Sequence, residues 1–190
     1  MSRARIDQGL DALVQAAQAS KSLSIQVAKL GRRYADVLRG GGTLYFCGNG
    51  GSAADAQHMA AEYVIRYSAD RRPLAAVALT TDSSILTAGG NDLGFERVFA
   101  RQVEALCRPG DLLILHSTSG QSANLVAAAQ AAKARGVPVV AWLGKGGGML
   151  ASMVDDAVII PSNVTSLVQL MHLAFEHLVV ETVERELFGS

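Results

Sequence analysis

Apolar residues recur at helical spacing near the start of the chain. From Ile6 to Leu38 they fall every three or four positions, and three consecutive glycines end the pattern at 40–42. This pattern predicts one long helix, or two, before the first strand. A continuous apolar stripe has to be covered by the sheet or by another subunit. We expect the helical region 4–40 to make oligomer contacts through one side, formed by Leu10, Leu13, Leu30 and Leu38.

Beyond residue 42, short apolar runs alternate with helical patterns. Five runs have the length of strands: Thr43–Cys47, Ala75–Leu79, Leu112–His116, Val139–Leu143 and Ala157–Ile160. A helical pattern is expected after each one. Such alternation predicts an α/β fold with a five-stranded parallel sheet flanked by helices, and it places ligands at the carboxyl ends of the strands. The chain is short for two domains, so we expect a single domain over residues 1–190.

Composition narrows the class of protein. Hydrophobic residues make up 49% of the chain and aromatics only 5%, which is typical of a helix-covered parallel sheet. Seventeen basic residues offset seventeen acidic ones, so we expect no nucleic-acid partner. The sequence shows no signal core and no apolar run of membrane-spanning length, and Cys47 and Cys107 form no CxxC motif. We therefore expect a cytoplasmic protein that does not enter a membrane.

Two loops after predicted strands could carry chemistry. Gly48–Ser52 lets the backbone approach a ligand closely, and Ser52 could cap a helix whose N-terminus favours an anion, although an ordinary tight turn remains the alternative. The loop matches neither GxGxxG nor GxxxxGK[ST], so we expect no nucleotide cofactor. The segment Ser117–Ser122 supplies four hydroxyls before the helix predicted over Ala123–Ala134, which suits either a phosphate cradle or a hydroxyl-rich cap.

Two pairs of polar residues have helical spacing. His58 and Glu62 are four residues apart, so they could bind a metal or move protons, or simply form a surface contact. Gln169 and His177 project in similar directions about 12 Å apart along one helix axis. His172 diverges from His177 by more than a right angle, and a histidine in this apolar helix is ordinarily a buried, hydrogen-bonded core or interface residue.

Together these motifs resemble the sugar isomerase (SIS) family and, within it, the phosphoheptose isomerases. The resemblance is carried by segments 47–62, 79–96, 101–106 and 108–125 and by the late Gln169 to His177 pair. It implies a flavodoxin-like three-layer sandwich assembled as a homotetramer with sites between subunits. It also implies an aldose-ketose isomerase that converts sedoheptulose 7-phosphate to D-glycero-D-manno-heptose 7-phosphate through an enediol.

The resemblance also implies roles for individual residues. The proton-handling residues would be Glu62 and His177. Metal-bound members of the family would place zinc on His58, Glu62, Gln169 and His177. The substrate contacts would be Asn49, Gly50, Gly51, Glu62, Asn91, Asp92, Ser117, Thr118, Ser119, Ser122 and Gln169.

One alternative within the same fold is a non-catalytic SIS protein that binds the DnaA replication initiator. Such a protein lacks the acid and the late histidine, so the presence of Glu62 and His177 favours the enzyme. One position departs from the family pattern. His116 stands directly before the Ser-Thr-Ser loop, where the resemblance implies a small or aliphatic residue, and it could reshape the floor of the pocket or a subunit contact.

Overall fold

The computed structural model describes residues 3–68 and 70–189, and within these ranges the chain forms one sheet of five parallel strands. The strands lie in the order β2-β1-β3-β4-β5. Their bounds are β1 Leu44–Gly48, β2 Ala76–Ala78, β3 Leu112–Ser117, β4 Val139–Leu143 and β5 Asp156–Ile159. The predicted parallel sheet is confirmed, with strand ends that differ from the predicted ones by one residue.

Helices lie on both faces of the sheet. Those in the described part of the chain are α1 Arg3–Ser20, α2 Ser24–Arg39, α3 Gly51–Val64, α4 Ser83–Leu93, α5 Val98–Leu106, α6 Ala123–Ala134 and α7 Thr165–Phe188. Because β1, β3 and β4 are buried on both faces, their sequences read as continuous apolar runs. One core cluster lies between the sheet and α2, α3 and α7, and the other lies under α5 and α6.

The N-terminal helical region divides at a 3-10 turn over Lys21–Leu23, so it is two helices. The expectation that Leu30 and Leu38 face other subunits is wrong, since α2 packs on α7 and leaves them 1% and 6% exposed within the chain. Gly31 permits this contact, because a Cβ there would lie 2.6 Å from the Thr182 side chain. By contrast, α1 keeps an uncovered apolar stripe, in which Leu10 is exposed and Leu13 half-buried.

The segment after β4 also differs from the prediction. A glycine-rich loop at 144–148 and a 3-10 turn at Leu150–Ser152 occupy the place where a helix was expected. Gly146, Gly147 and Gly148 all have positive φ, a conformation that does not propagate a right-handed helix. The loop packs behind the segment after β3, where Leu150 N donates to Gly120 O at 3.1 Å.

No helix in the described ranges is both long enough and apolar enough to cross a membrane.

Candidate active site

The glycine-rich loop and the hydroxyl-rich loop meet at the carboxyl edge of the sheet. They follow β1 and β3, which are neighbours, with Gly48 paired to His116 in the register of the two strands. The side-chain amides of Asn49 and Asn124 exchange two hydrogen bonds, of 2.9 and 2.8 Å, and these bonds tie the first loop to the start of α6. The fold therefore brings both predicted loops into one site.

Between these loops lies a cavity of about 210 Å³. It is lined by Asn49, Ser52, His116, Ser117, Thr118, Ser119, Ser122, Thr165 and Gln169. All four hydroxyl residues of the predicted phosphate cradle are present. Ser117 Oγ accepts from Gly120 N and Ser119 Oγ accepts from Gln121 N, so each hydroxyl keeps its own hydrogen for a ligand. The lining that the structure describes contains no lysine or arginine, so an anion here depends on hydroxyls, backbone N–H groups and the α6 dipole.

The glycine-rich loop combines a tight turn with a close approach of its backbone to the side chain of Gln169. Gly50, at φ +57°, precedes the first residue of α3, so Ser52 lies in the first helical turn and is buried. The expectation that Ser52 caps this helix is wrong, because the left-handed glycine starts the helix earlier. A Cβ at Gly51 would lie 2.6 Å from Gln169 Nε2. Glycine at this position therefore lets the Gln169 amide rest on the loop.

About two helical turns along α7 from the cavity residue Gln169, α3 and α7 bring His58, Glu62 and His177 together. His58 Nε2 lies 3.1 Å from Glu62 Oε1 and 3.3 Å from His177 Nε2. One ligand atom from each residue falls within 4.8 Å of the other two. The His177 ring also stacks on Tyr67, with centroids 5.6 Å apart. Residues 119 positions apart thus form one cluster, which is half-buried and open on one side.

The environment of His177 favours its neutral form. Burial lowers the pKa of His177, the neighbouring His58 lowers it further, and Glu62 opposes both effects. A neutral imidazole has one N–H that can donate to a carbonyl oxygen and one lone pair that can accept a proton or bind a metal. The cluster thus pairs a carboxylate with a neutral imidazole, the two groups needed for moving protons between adjacent carbons.

Gln169 lies apart from this cluster on the same helix. It lines the cavity and its amide faces Gly51, whereas His177 is two turns further along α7, about 12 Å along the axis. Three of the four predicted metal ligands therefore converge. Helix α7 therefore reaches both places, with Gln169 at the cavity between the two loops and His177 at the cluster with His58 and Glu62.

The predicted substrate contacts Asn91 and Asp92 lie elsewhere in the chain. They are on α4, which has no buried residue in the structure, and they are bonded to each other at 2.7 Å. Neither lines the cavity. Within one chain the structure does not bring these two residues to the other predicted contacts.

Sequence reasoning missed a buried pair beneath the site. His116 Nε2 lies 2.7 Å from Glu176 Oε1, and the two side chains are 0% and 2% exposed. Burial alone would lower the pKa of His116, but the charge and hydrogen bond of Glu176 outweigh it and the pKa is raised. A signal was available, since Glu176 lies four residues after the buried His172 and thus on the apolar face of α7. Thr165, at the start of α7, also lines the cavity and was not predicted.

The expectation that His172 is a core histidine is confirmed. Its side chain is fully buried, its Nε2 donates to Leu143 O at 3.0 Å, and burial lowers the pKa of His172 to about 3. It therefore anchors α7 to β4 as a neutral ring and lies outside the site.

The fold and this site agree with known proteins. Residues 9–144 match the family model of the SIS domain, and the chain belongs to that family. A phosphoheptose isomerase from Akkermansia muciniphila is 49% identical over 91% of this chain and 92% of its own length. One from a Roseiflexus species is 52% identical over 85% of this chain and 82% of its own length.

Solved structures give the same result. A phosphoheptose isomerase from Francisella tularensis superposes with a TM-score of 0.93 at 32% identity, covering 97% of this chain and 99% of that one. The enzyme from Neisseria gonorrhoeae gives 0.89 at 38% identity, over 96% and 98% of the two chains. The resemblance deduced from the motifs is confirmed. These relatives support the isomerase and give no support to the DnaA-binding alternative.

Proposed function

We propose that this protein is an aldose-ketose isomerase that converts sedoheptulose 7-phosphate to D-glycero-D-manno-heptose 7-phosphate without a nucleotide cofactor. The observation that carries the proposal is the meeting of Glu62 and His177 about two helical turns along α7 from a cavity lined by six hydroxyl residues, four of them in the loop Ser117–Ser122. The cavity suits a phosphate, and the cluster suits proton transfer next to a carbonyl. The seven-carbon substrate is supported by the names of relatives that match nearly the whole chain.

The chemistry needs one base and one acid. Glu62 removes a proton from C1 of the ketose while the His177 imidazole gives a proton to the C2 oxygen, which produces the enediol. Glu62 then returns its proton to C2, and His177 takes the proton from the C1 hydroxyl as the aldehyde forms. Burial favours a neutral His177 ring, which donates a proton in the first half of this cycle and accepts one in the second. The ring is therefore neutral again after each turnover.

The loop Ser117–Ser122, called the phosphate loop from here on, would bind the end of the substrate that is distant from the reacting carbons. Ser117, Thr118, Ser119 and Ser122 would bind the phosphate, with Asn49, Gly50, Gly51 and Gln169 along the sugar. Holding the distant end of a flexible substrate uses binding energy to fix C1 and C2 against Glu62 and His177. The position of Gln169 and His177 at two points of one rigid helix supports this division of the site.

A zinc ion fits the cluster. Two imidazole nitrogens and a carboxylate oxygen within 4.8 Å form a donor set that zinc accepts. We propose that His58, Glu62 and His177 hold it, whereas the fourth predicted ligand, Gln169, faces Gly51 and lies outside this set. When bound, zinc would polarise the substrate carbonyl. A carboxylate that donates to a metal is a weaker base, so the roles of Glu62 as ligand and as base compete.

The quaternary structure and location follow from the same resemblance. We propose a homotetramer in which α1 and α4 face other copies, since Leu10, Leu93 and Phe95 are exposed in one chain. Such contacts would also bring Asn91 and Asp92 of one copy toward the site of another. Two buried, unpaired cysteines support a reducing, cytoplasmic location. Light scattering at micromolar concentration tests the assembly, and a monomer would contradict it.

The substrate proposal is tested by incubating the purified protein with sedoheptulose 7-phosphate and separating the sugar phosphates. Conversion to the aldose without nucleotide or redox cofactor is expected. Six-carbon and five-carbon ketose phosphates serve as matched substrates and should react more slowly. Absence of aldose-ketose conversion across this panel, in the presence and absence of zinc, would overturn the proposed function.

A further inference from the structure

The buried pair of His116 and Glu176 links two segments of the proposed site. His116 is the residue directly before Ser117, where the phosphate loop begins, and Glu176 is the residue directly before His177. Their side chains meet at 2.7 Å beneath the cavity, with His116 forming part of its lining. One hydrogen bond therefore joins the backbone that holds the phosphate loop to the helical turn that carries the proton-handling histidine.

Stability alone does not account for this pair. A buried ion pair is often no more stable than two well-packed apolar residues of similar volume, because both charges lose their hydration. Among the described residues, Glu176 Oε2 also has no hydrogen-bond partner although it is buried. The neighbouring residues Phe46, Trp142 and Phe175 would accommodate aliphatic side chains in the same core. A polar pair at this place therefore calls for a role other than stability.

The geometry of the hydrogen bond between His116 and Glu176 restricts the position of α7 on the sheet. A hydrogen bond is directional, so it fixes both the height and the rotation of the Glu176 turn relative to β3, whereas an apolar contact tolerates sliding. His177 shares that turn and lies 3.3 Å from His58 on the neighbouring α3. A displacement of about 1 Å in a reacting group can cost on the order of 100-fold in rate. The position of His177 is thus sensitive to the contact made by Glu176.

We infer that His116 and Glu176 are positioning residues whose hydrogen bond aligns His177 with the phosphate loop. The inference rests on the proposed function, in which the phosphate and the reacting carbons occupy opposite ends of one site. Glu176 itself does not line the cavity, so its effect on the reaction passes through its neighbour and through His116.

The test compares apolar and hydrogen-bonding replacements of the pair. The double variant His116→Ile/Glu176→Ile removes both polar groups together, so it leaves no buried charge and should fold with a thermal midpoint close to that of the wild type. Its kcat should fall by about 10- to 100-fold, with a smaller change in KM because the phosphate loop is intact. Glu176→Gln preserves an oxygen at hydrogen-bond distance and should recover kcat to within about fivefold of wild type.

A matched control lies on the other face of the sheet. Gln102 is buried and its Nε2 donates to Leu79 O and Val98 O at 3.0 and 3.1 Å. Gln102→Leu removes a buried polar anchor that has no link to the site, so it should lower the thermal midpoint and leave kcat unchanged. Wild-type kcat in the double variant, or a loss of kcat in Glu176→Gln equal to that in the double variant, would overturn the inference.

A crystal structure of the double variant gives a readout that does not depend on turnover. The expected result is a His177 ring displaced from its 3.3 Å contact with His58, with the phosphate loop retained. An unchanged cluster would overturn the positioning role even if the substrate were misassigned. Conversely, a wild-type protein inactive on every phosphosugar would reject the proposed function and leave this structural test standing.

Discussion

The end of α3 is held to α7 by a buried arginine. Arg71 Nε donates to Glu184 Oε1 at 2.7 Å, while its Nη atoms donate to the carbonyl oxygens of Tyr63 at 2.9 Å and Glu62 at 2.7 Å. The side chains of Arg71 and Glu184 are 1% and 2% exposed. Because Glu62 is the proposed base, this contact supports the site as well as the fold.

The substitution Arg71→Met removes the guanidinium and keeps most of the apolar stem. It leaves Glu184 buried without its cation, and breaking a buried pair in this way costs about 3–5 kcal/mol. Glu184 retains hydrogen bonds from Tyr67 N, Ser68 N and Ser68 Oγ. The loss of stability should therefore lie near the lower end of this range. With about 2–4 °C lost per kcal/mol in a chain of this size, a loss of about 3 kcal/mol should lower the thermal midpoint by about 6–12 °C.

Differential scanning calorimetry at one fixed protein concentration measures this shift, since oligomers melt in a concentration-dependent way. Arg185→Met is the matched control. Arg185 also pairs with a glutamate on α7, Glu181 at 3.0 Å, but the two side chains are 67% and 46% exposed. An exposed pair contributes under about 1 kcal/mol, so this control should melt within about 4 °C of the wild type. A loss in Arg71→Met no larger than in the control would show that the buried pair of Arg71 and Glu184 contributes no more to stability than an exposed pair.

Three further predictions concern the site and its surroundings. Replacing Ser119 and Ser122 by Ala should raise KM more than it lowers kcat in steady-state assays, because both line the cavity; unchanged saturation would place the phosphate elsewhere. Burial lowers the pKa of His172 to about 3, whereas a histidine in the unfolded chain has a pKa of about 6.5. The stability that the neutral ring contributes is therefore present above the unfolded pKa and is lost as the pH falls. The free energy of unfolding from urea titrations should be about 2 kcal/mol lower at pH 5. The His172→Leu variant should lose less stability than the wild type as the pH falls, and an equal loss in the two proteins would contradict this prediction. Elemental analysis should find zinc in the wild type and less in His58→Ala; metal-free wild-type protein with full activity would reject a catalytic zinc.

The sequence was sufficient for the sheet and for the loops at its carboxyl edge. Strands β1, β3 and β4 are buried on both faces, so their apolar runs are long and distinct from the helical patterns around them. Parallel topology then fixes the edge at which Gly48–Ser52 and Ser117–Ser122 meet. The spacing of Gln169, His172 and His177 likewise indicated that His172 projects away from His177.

Other features depend on packing that periodicity does not encode. A helical stripe shows that Leu30 and Leu38 are covered, but not that α7 of the same chain covers them. The pairing of His116 with Glu176 joins residues 60 positions apart and arises only when α7 is laid on β3. Asn91 and Asp92 are exposed on α4 and do not line the cavity within one chain.

We propose that Glu62 transfers a proton between two carbons of a phosphosugar and that His177 exchanges protons with the oxygens on those carbons. The most direct measurement is turnover of sedoheptulose 7-phosphate in D2O, followed by proton NMR and mass spectrometry of the aldose. Exchange of the base's proton with solvent predicts deuterium at C2 of the product, and Glu62→Gln should lower both conversion and exchange by several orders of magnitude. Conversion or exchange by Glu62→Gln at the wild-type rate would contradict this role of Glu62.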